Sequence, residues 1–166
     1  MTQTEDKNHS EERLPMRTPS SVVFLPCSDI TGTVHFYRDV LGLPVIQKQG
    51  DSLFIFDTGY GYWGFCQYSD GRPLLSGPQG VCLSINMKNP DDVLARYEVL
   101  KDNVSIYKDP AWHPRFPVFS FFVLDPDGYL VEFQHVQVEE KLHIFKNRVS
   151  RAVADLAARG HDKRAT

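Results

Sequence analysis

From residue 21 onward the chain alternates short apolar runs with turns marked by glycine or proline, and one order of runs occurs twice. Residues 21–26, Ser-Val-Val-Phe-Leu-Pro, are β-branched and aromatic, which predicts a strand. A helix is predicted next. Asp29 fits its N-cap, Ile30, Val34, Tyr37, Val40 and Leu41 recur at helical spacing, and Gly42 supplies a stop. Residues 44–49, 53–57 and 62–68 then read as three strands, with Gly50, Gly59 and Gly61 at the turns. The unit is βαβββ.

Residues 70–80 contain Gly71, Pro73, Gly77, Pro78 and Gly80 and read as a linker. The order then starts again with a strand at 81–87. Asn89 fits an N-cap, Pro90 the first helical position, and Asp91 and Asp92 the first turn, with Val93, Leu94, Tyr97 and Leu100 on one face. Strands at 104–107, 118–124 and 129–136 complete the second unit, and Asp125-Pro126-Asp127-Gly128 turns its last hairpin. Tyr37 matches Tyr97 at an offset of 60, and the run 129–134 echoes 62–67 at an offset of 67. Such repetition predicts an α+β fold of two βαβββ modules, 21–69 and 80–137, forming a cupped mixed β-sheet with flanking helices.

The ends differ from this core. Residues 1–20 hold almost no apolar side chains, so burial would not offset the entropy of ordering them, and an unordered tail is expected. Residues 138–160 read as an appended C-terminal helix with an apolar stripe of Leu142, Phe145, Val149, Ala152, Val153 and Leu156, ended by Gly160; 161–166 form a second tail. The stripe must pack on its own domain or on a second copy, and a homodimer is the expected assembly.

Composition narrows the function classes. With 42% hydrophobic and 23% charged residues and a formal net charge of -3, the chain has no general attraction for phosphate backbones, so nucleic acid is not an expected partner. No apolar run approaches the roughly 20 residues of a membrane span, and the N-terminus lacks the hydrophobic stretch of a leader, so no membrane association is expected. Cys27, Cys66 and Cys82 are odd in number and show no CxxC spacing, which fits a reducing, cytoplasmic setting.

Two segments carry a family likeness. Phe36-Tyr37-Arg38-Asp39-Val40-Leu41-Gly42-Leu43 resembles the FYxxxLGL helix end of the vicinal oxygen chelate (glyoxalase, bleomycin resistance and extradiol dioxygenase) superfamily, and Asp125-Pro126-Asp127-Gly128-Tyr129-Leu130-Val131-Glu132-Phe133 resembles its DPDGxxxEF signature. The likeness covers roughly residues 21–137. It implies two modules around one pocket for a small molecule, and in many members a divalent metal held by four equivalent positions on the first and last strands of each module. Carried through the repeat, those positions fall at Val22, Phe65, Cys82 and Glu132. Valine and phenylalanine offer no lone pair, so Cys82 and Glu132 alone remain as donors and no cofactor is firmly implied. Sliding the first or fifth strand by one residue offers Ser21 or Val23, and Val81 or Leu83, which adds no good ligand.

Glu132 is therefore the principal chemical candidate. A carboxylate in an apolar pocket must hold a cation, pair with a donor or keep its proton. Phe65 and Val22 would line the pocket with apolar surface, and Cys82 would add a small thiol. Arg115 would suit a carboxylate or phosphate, and His113 a proton shuttle or a missing ligand, although a plain solvated loop is the favoured reading of each. Two functions follow from the likeness: a lyase-, isomerase- or dioxygenase-like enzyme using Glu132 as base or metal ligand, and a metal-free protein that sequesters a small molecule.

Overall fold

The computed structural model describes residues 20–77 and 79–137. The expectations for the N-terminal tail, the C-terminal helix and the final residues lie outside the described residues. Within them the chain runs β1 (Val22–Pro26), α1 (Ile30–Val34) continuing into a π-helical turn (His35–Val40), β2 (Val45–Gln49), β3 (Leu53–Asp57) and β4 (Tyr62–Cys66). The second module repeats this with β5 (Cys82–Asn86), α2 (Pro90–Leu100), β6 (Ser105–Trp112), β7 (Val118–Leu124) and β8 (Leu130–Val136). The α+β class and the two modules agree with the sequence reading.

Each module forms its own four-stranded sheet, ordered β1-β4-β3-β2 and β5-β8-β7-β6. The first and last strands of each module pair in parallel, and the remaining pairs are antiparallel. Both sheets are therefore mixed. No strand pairing joins them among the described residues.

The caps fall where the sequence placed them: the Asp29 side chain accepts from the Thr31 amide at 3.0 Å, and Asn89 from the Asp92 amide at 2.8 Å. The first helix differs in kind. Its second half widens, with the Leu41 amide bonded to the Phe36 carbonyl five residues back at 2.8 Å, and both Phe36 and Tyr37 are buried there. Gly42 then reverses the chain at φ +71, a left-handed conformation that favours glycine. Strand β6 also runs longer than 104–107. It is the edge of its sheet and its register shifts twice, which is where a strand tolerates Pro110 and its missing amide hydrogen.

One core unites the modules. Tyr37, fully buried, stacks on Phe65 at 4.4 Å between ring centroids and meets Trp63 edge-on, while Phe65 in turn touches Tyr129 of the second module. Phe121 stacks on Phe133 at 5.0 Å in the same continuous cluster. Polar ties cross the same boundary. The Tyr37 hydroxyl donates to Asp125 Oδ2 at 2.9 Å, the Tyr129 hydroxyl to the Pro26 carbonyl at 2.8 Å, and Arg96 to the Leu41 carbonyl at 2.6 Å. Asp125 also accepts from the amides of Asp127 and Tyr129. Burial raises the pKa of its carboxyl above the ordinary value, and these donors offset part of the rise. The two sequence signatures thus meet through Tyr37 and Asp125, in a bond that holds module to module.

Candidate functional site: the open face of the second sheet

Side chains alternate along a strand, so each sheet has a core face and an opposite face. In the second sheet Leu83, Val131, Phe133, Phe121 and Val123 are buried in the core. The residues between them, Cys82, Ser84, Glu132, Gln134 and Phe122, necessarily project the other way. Glu132 is half-buried there, and Ser84 and Cys82 are exposed.

The register places one residue from each strand in a row across this face. Ser84 lies beside Glu132, Glu132 opposite Phe122, and Phe122 opposite Lys108. The Ser84 hydroxyl donates to Glu132 Oε2 at 2.6 Å, a charge-assisted bond that fixes the carboxylate. Lys108 Nζ stands 5.8 Å from the centre of the Phe122 ring. Next along the strands, Gln134 Nε2 donates to Asn86 Oδ1 at 3.1 Å. Cys82 Sγ lies 3.9 Å from Ser84 Oγ; the residue is exposed overall, but partial desolvation of its thiol and the Glu132 charge raise the thiol pKa above the ordinary value, which disfavours a nucleophilic thiolate.

The matching row of the first sheet has a different character. Phe24 lies beside Gly64, Gly64 opposite Ile55, and Ile55 opposite Gln47. A Cβ at Gly64 would sit 2.5 Å from the Phe24 ring, so only a glycine leaves room for that ring to lie on the strand.

This register corrects the repeat alignment. Tyr62 aligns with Leu130, not with Tyr129, so the counterpart of Glu132 is Gly64 and not Phe65. A slip of one residue moves a side chain to the other face of a sheet. Phe65 accordingly is fully buried against Tyr37 on the core face and presents no surface to a ligand. Val22 and Cys82 do correspond, each on the open face of its own sheet, but they pair with Tyr62 and Leu130, two residues along from the Phe24–Gly64 and Ser84–Glu132 pairs.

His113 and Arg115 are not brought to Glu132. They lie in the loop between β6 and β7, beyond Val118, which pairs with Val136, whereas Glu132 pairs with Phe122 four residues further in, about 13 Å along the strand. His113 Nδ1 accepts from the amides of Arg115 and Phe116 at 3.2 Å each, and its ring stacks on Phe116, so it shapes the loop. Arg115 is exposed.

The donor set does not fit the family's metal. Of the four register-matched positions, Phe24 and Gly64 carry no lone pair, Ser84 offers a neutral hydroxyl and Glu132 a carboxylate. Among the described residues no group of three or more histidine, cysteine, aspartate or glutamate side chains is placed to hold an ion.

Sequence reasoning missed Ser84, Phe24 and Lys108. The offset of 60, which relates β1 to β5, matches Phe24 with Ser84, but only the pairing register sets them beside Gly64 and Glu132. Lys108 depended on the bulges of β6 and had no signal in the sequence.

With the fold and site in place, comparison with known proteins gives the class. The sequence model of the Glyoxalase/Bleomycin resistance protein/Dioxygenase superfamily matches residues 20–133, and the chain belongs to that superfamily. Solved structures share the fold: a glyoxalase/bleomycin resistance protein/dioxygenase from Alicyclobacillus acidocaldarius, 19% identical with a TM-score of 0.61, covers 74% of this chain and 96% of its own. Lactoylglutathione lyase from Agrobacterium tumefaciens is 20% identical, TM-score 0.55, over 74% of this chain and 96% of its own. TioX from Micromonospora sp. ML1 is 18% identical, TM-score 0.55, over 72% of this chain and 100% of its own. No curated protein matches the sequence. No helix among the described residues is long and apolar enough to cross a membrane.

Proposed function

We propose that this chain is a metal-free binding protein for a small organic molecule, seated on the open face of the second sheet with Glu132 as its anchor. The carrying observation is the Ser84–Glu132 pair at 2.6 Å, set where the first module has Phe24 lying on Gly64. A carboxylate fixed by one hydroxyl keeps lone pairs free for a ligand N–H or O–H and, as an anion, favours a cationic group. Phe122 beside it and Phe24 on the first sheet supply apolar surface for the rest of the ligand. Assembly as a homodimer belongs to the same reading, since it would give these faces a cover.

A second reading, a lyase-, isomerase- or dioxygenase-like enzyme with Glu132 as general base, draws on the same carboxylate, because its hydrogen bond holds it in one orientation. In either case the step rests on side chains of this chain and not on a metal.

The test pairs metal analysis of purified protein with a titration of phenethylamine, an aromatic cation, against wild type and Glu132→Gln. Wild type should hold no stoichiometric metal, and the substitution should weaken phenethylamine binding several-fold. Stoichiometric metal that Glu132→Gln releases would overturn the metal-free reading, and equal affinity in both proteins would remove Glu132 as the anchor.

A further inference from the structure

The row across the second sheet holds more than a carboxylate. Glu132 and Lys108 lie on strands β8 and β6 with β7 between them, so their strands stand two spacings, about 10 Å, apart. Phe122 fills the interval. Glu132 is bonded to the neutral Ser84 hydroxyl and Lys108 lies over an aromatic ring, and neither belongs to an ion pair among the described residues. Four surface acids elsewhere are paired with nearby bases: Asp39 with Arg38, Asp51 with Lys48, Asp70 with Arg72 and Glu98 with Lys101. The matching row on the first sheet, Phe24, Gly64, Ile55 and Gln47, carries no charge at all. An exposed strand face alone therefore does not account for the two opposite charges on the second sheet.

We infer that this row recognises a dipolar ligand: a molecule with a cationic amine at Glu132, a carboxylate or similar anion at Lys108, and a flat apolar body lying across Phe122. This deepens the proposed function and rests on its reading of Glu132 as the anchor. Two opposite charges on strands about 10 Å apart select by length as well as by sign, because a ligand that is too short engages only one end. The ring supplies the apolar contact that either charge alone lacks.

Four probes separate the contributions: para-aminoethylbenzoate, with both charges; phenethylamine, with the amine alone; para-ethylbenzoate, with the carboxylate alone; and ethylbenzene, with neither. Binding is followed by amide chemical-shift titration of the full chain. The doubly charged probe should bind about three- to fivefold tighter than phenethylamine, the gain expected of one solvent-exposed ion pair. Lys108→Met should abolish that gain and leave phenethylamine binding unreduced. Lys108 is exposed on an edge strand, so the variant keeps its fold. Glu132→Gln should weaken both amines.

If para-aminoethylbenzoate binds no tighter than phenethylamine, or if Lys108→Met leaves the gain intact, the dipolar row is wrong while the Glu132 anchor stands. If Glu132→Gln leaves every affinity unchanged, the anchor itself fails. Should no probe bind wild type, both readings fall.

Discussion

The two modules share a strand order and a pairing pattern but put them to different uses. In the first, the row on the open face is uncharged and largely apolar: Phe24 lies on Gly64, with Ile55 buried beside them. In the second, the same backbone positions carry Ser84 and Glu132, with Phe122 and Lys108 completing the row. Their helices diverge as well. Tyr37 reaches across the module boundary to the buried Asp125, whereas its repeat mate Tyr97 bonds Asp109 within its own module at 2.8 Å. Duplication of a fold thus fixes where side chains project and leaves free what they do, so one copy became a foundation and the other a chemical surface.

The largest effect expected from this comparison concerns the two phenylalanines on adjacent strands of the first sheet. Phe65→Ala removes a fully buried ring from the shared core and should cost about 3 to 5 kcal/mol in urea unfolding. Phe24→Ala removes a ring that is 45% exposed and should cost about 1 kcal/mol or less. Similar losses for both would contradict the face assignment that makes Gly64 the counterpart of Glu132.

Next in size is the tyrosine pair. Tyr37→Phe strips a donor from a buried carboxylate and should destabilise the chain by about 1 to 3 kcal/mol. Tyr97→Phe breaks a more exposed bond and should cost clearly less. Equal effects would mean that the two helices play the same part.

The smallest is a dependence on pH. The Asp125 carboxyl has an ordinary pKa of 3.8 and a higher one when folded, chiefly through burial. The folded state therefore holds this proton longer than the unfolded chain does. Its contribution is complete below pH 3.8 and is lost as pH rises through the folded value. Asp125→Asn cannot titrate, so the stability of wild type relative to this variant should fall as pH rises from acid to neutral. Equilibrium unfolding of both proteins across that range measures the gap, and a gap that widens in favour of wild type would give the opposite sign.

Much of the fold was legible because it rests on local signals. Asp29 and Asn89 cap helices through bonds to amides two or three residues away, and Gly42 stops a helix through its own φ. The strands around Phe56 and Val123 show apolar runs that no surface segment would carry. The candidate site was less legible. Glu132 could be singled out from its signature, yet its neighbour could not, since an offset of 67 and one of 68 look equally good along a string of residues. Only hydrogen-bonded pairing of β5 with β8 distinguishes them.

The sequence by itself determined the class, the two modules, the caps and turns, and the standing of Glu132 as the carboxylate to examine, because periodicity and short-range bonding are written in neighbouring residues. Tertiary structure alone decided that Ser84 steadies Glu132, that Phe65 is sealed in the core while Phe24 covers Gly64, and that Lys108 completes the row. Those contacts depend on which strands pair and in what register, and a single residue of slip reverses the face on which every side chain stands.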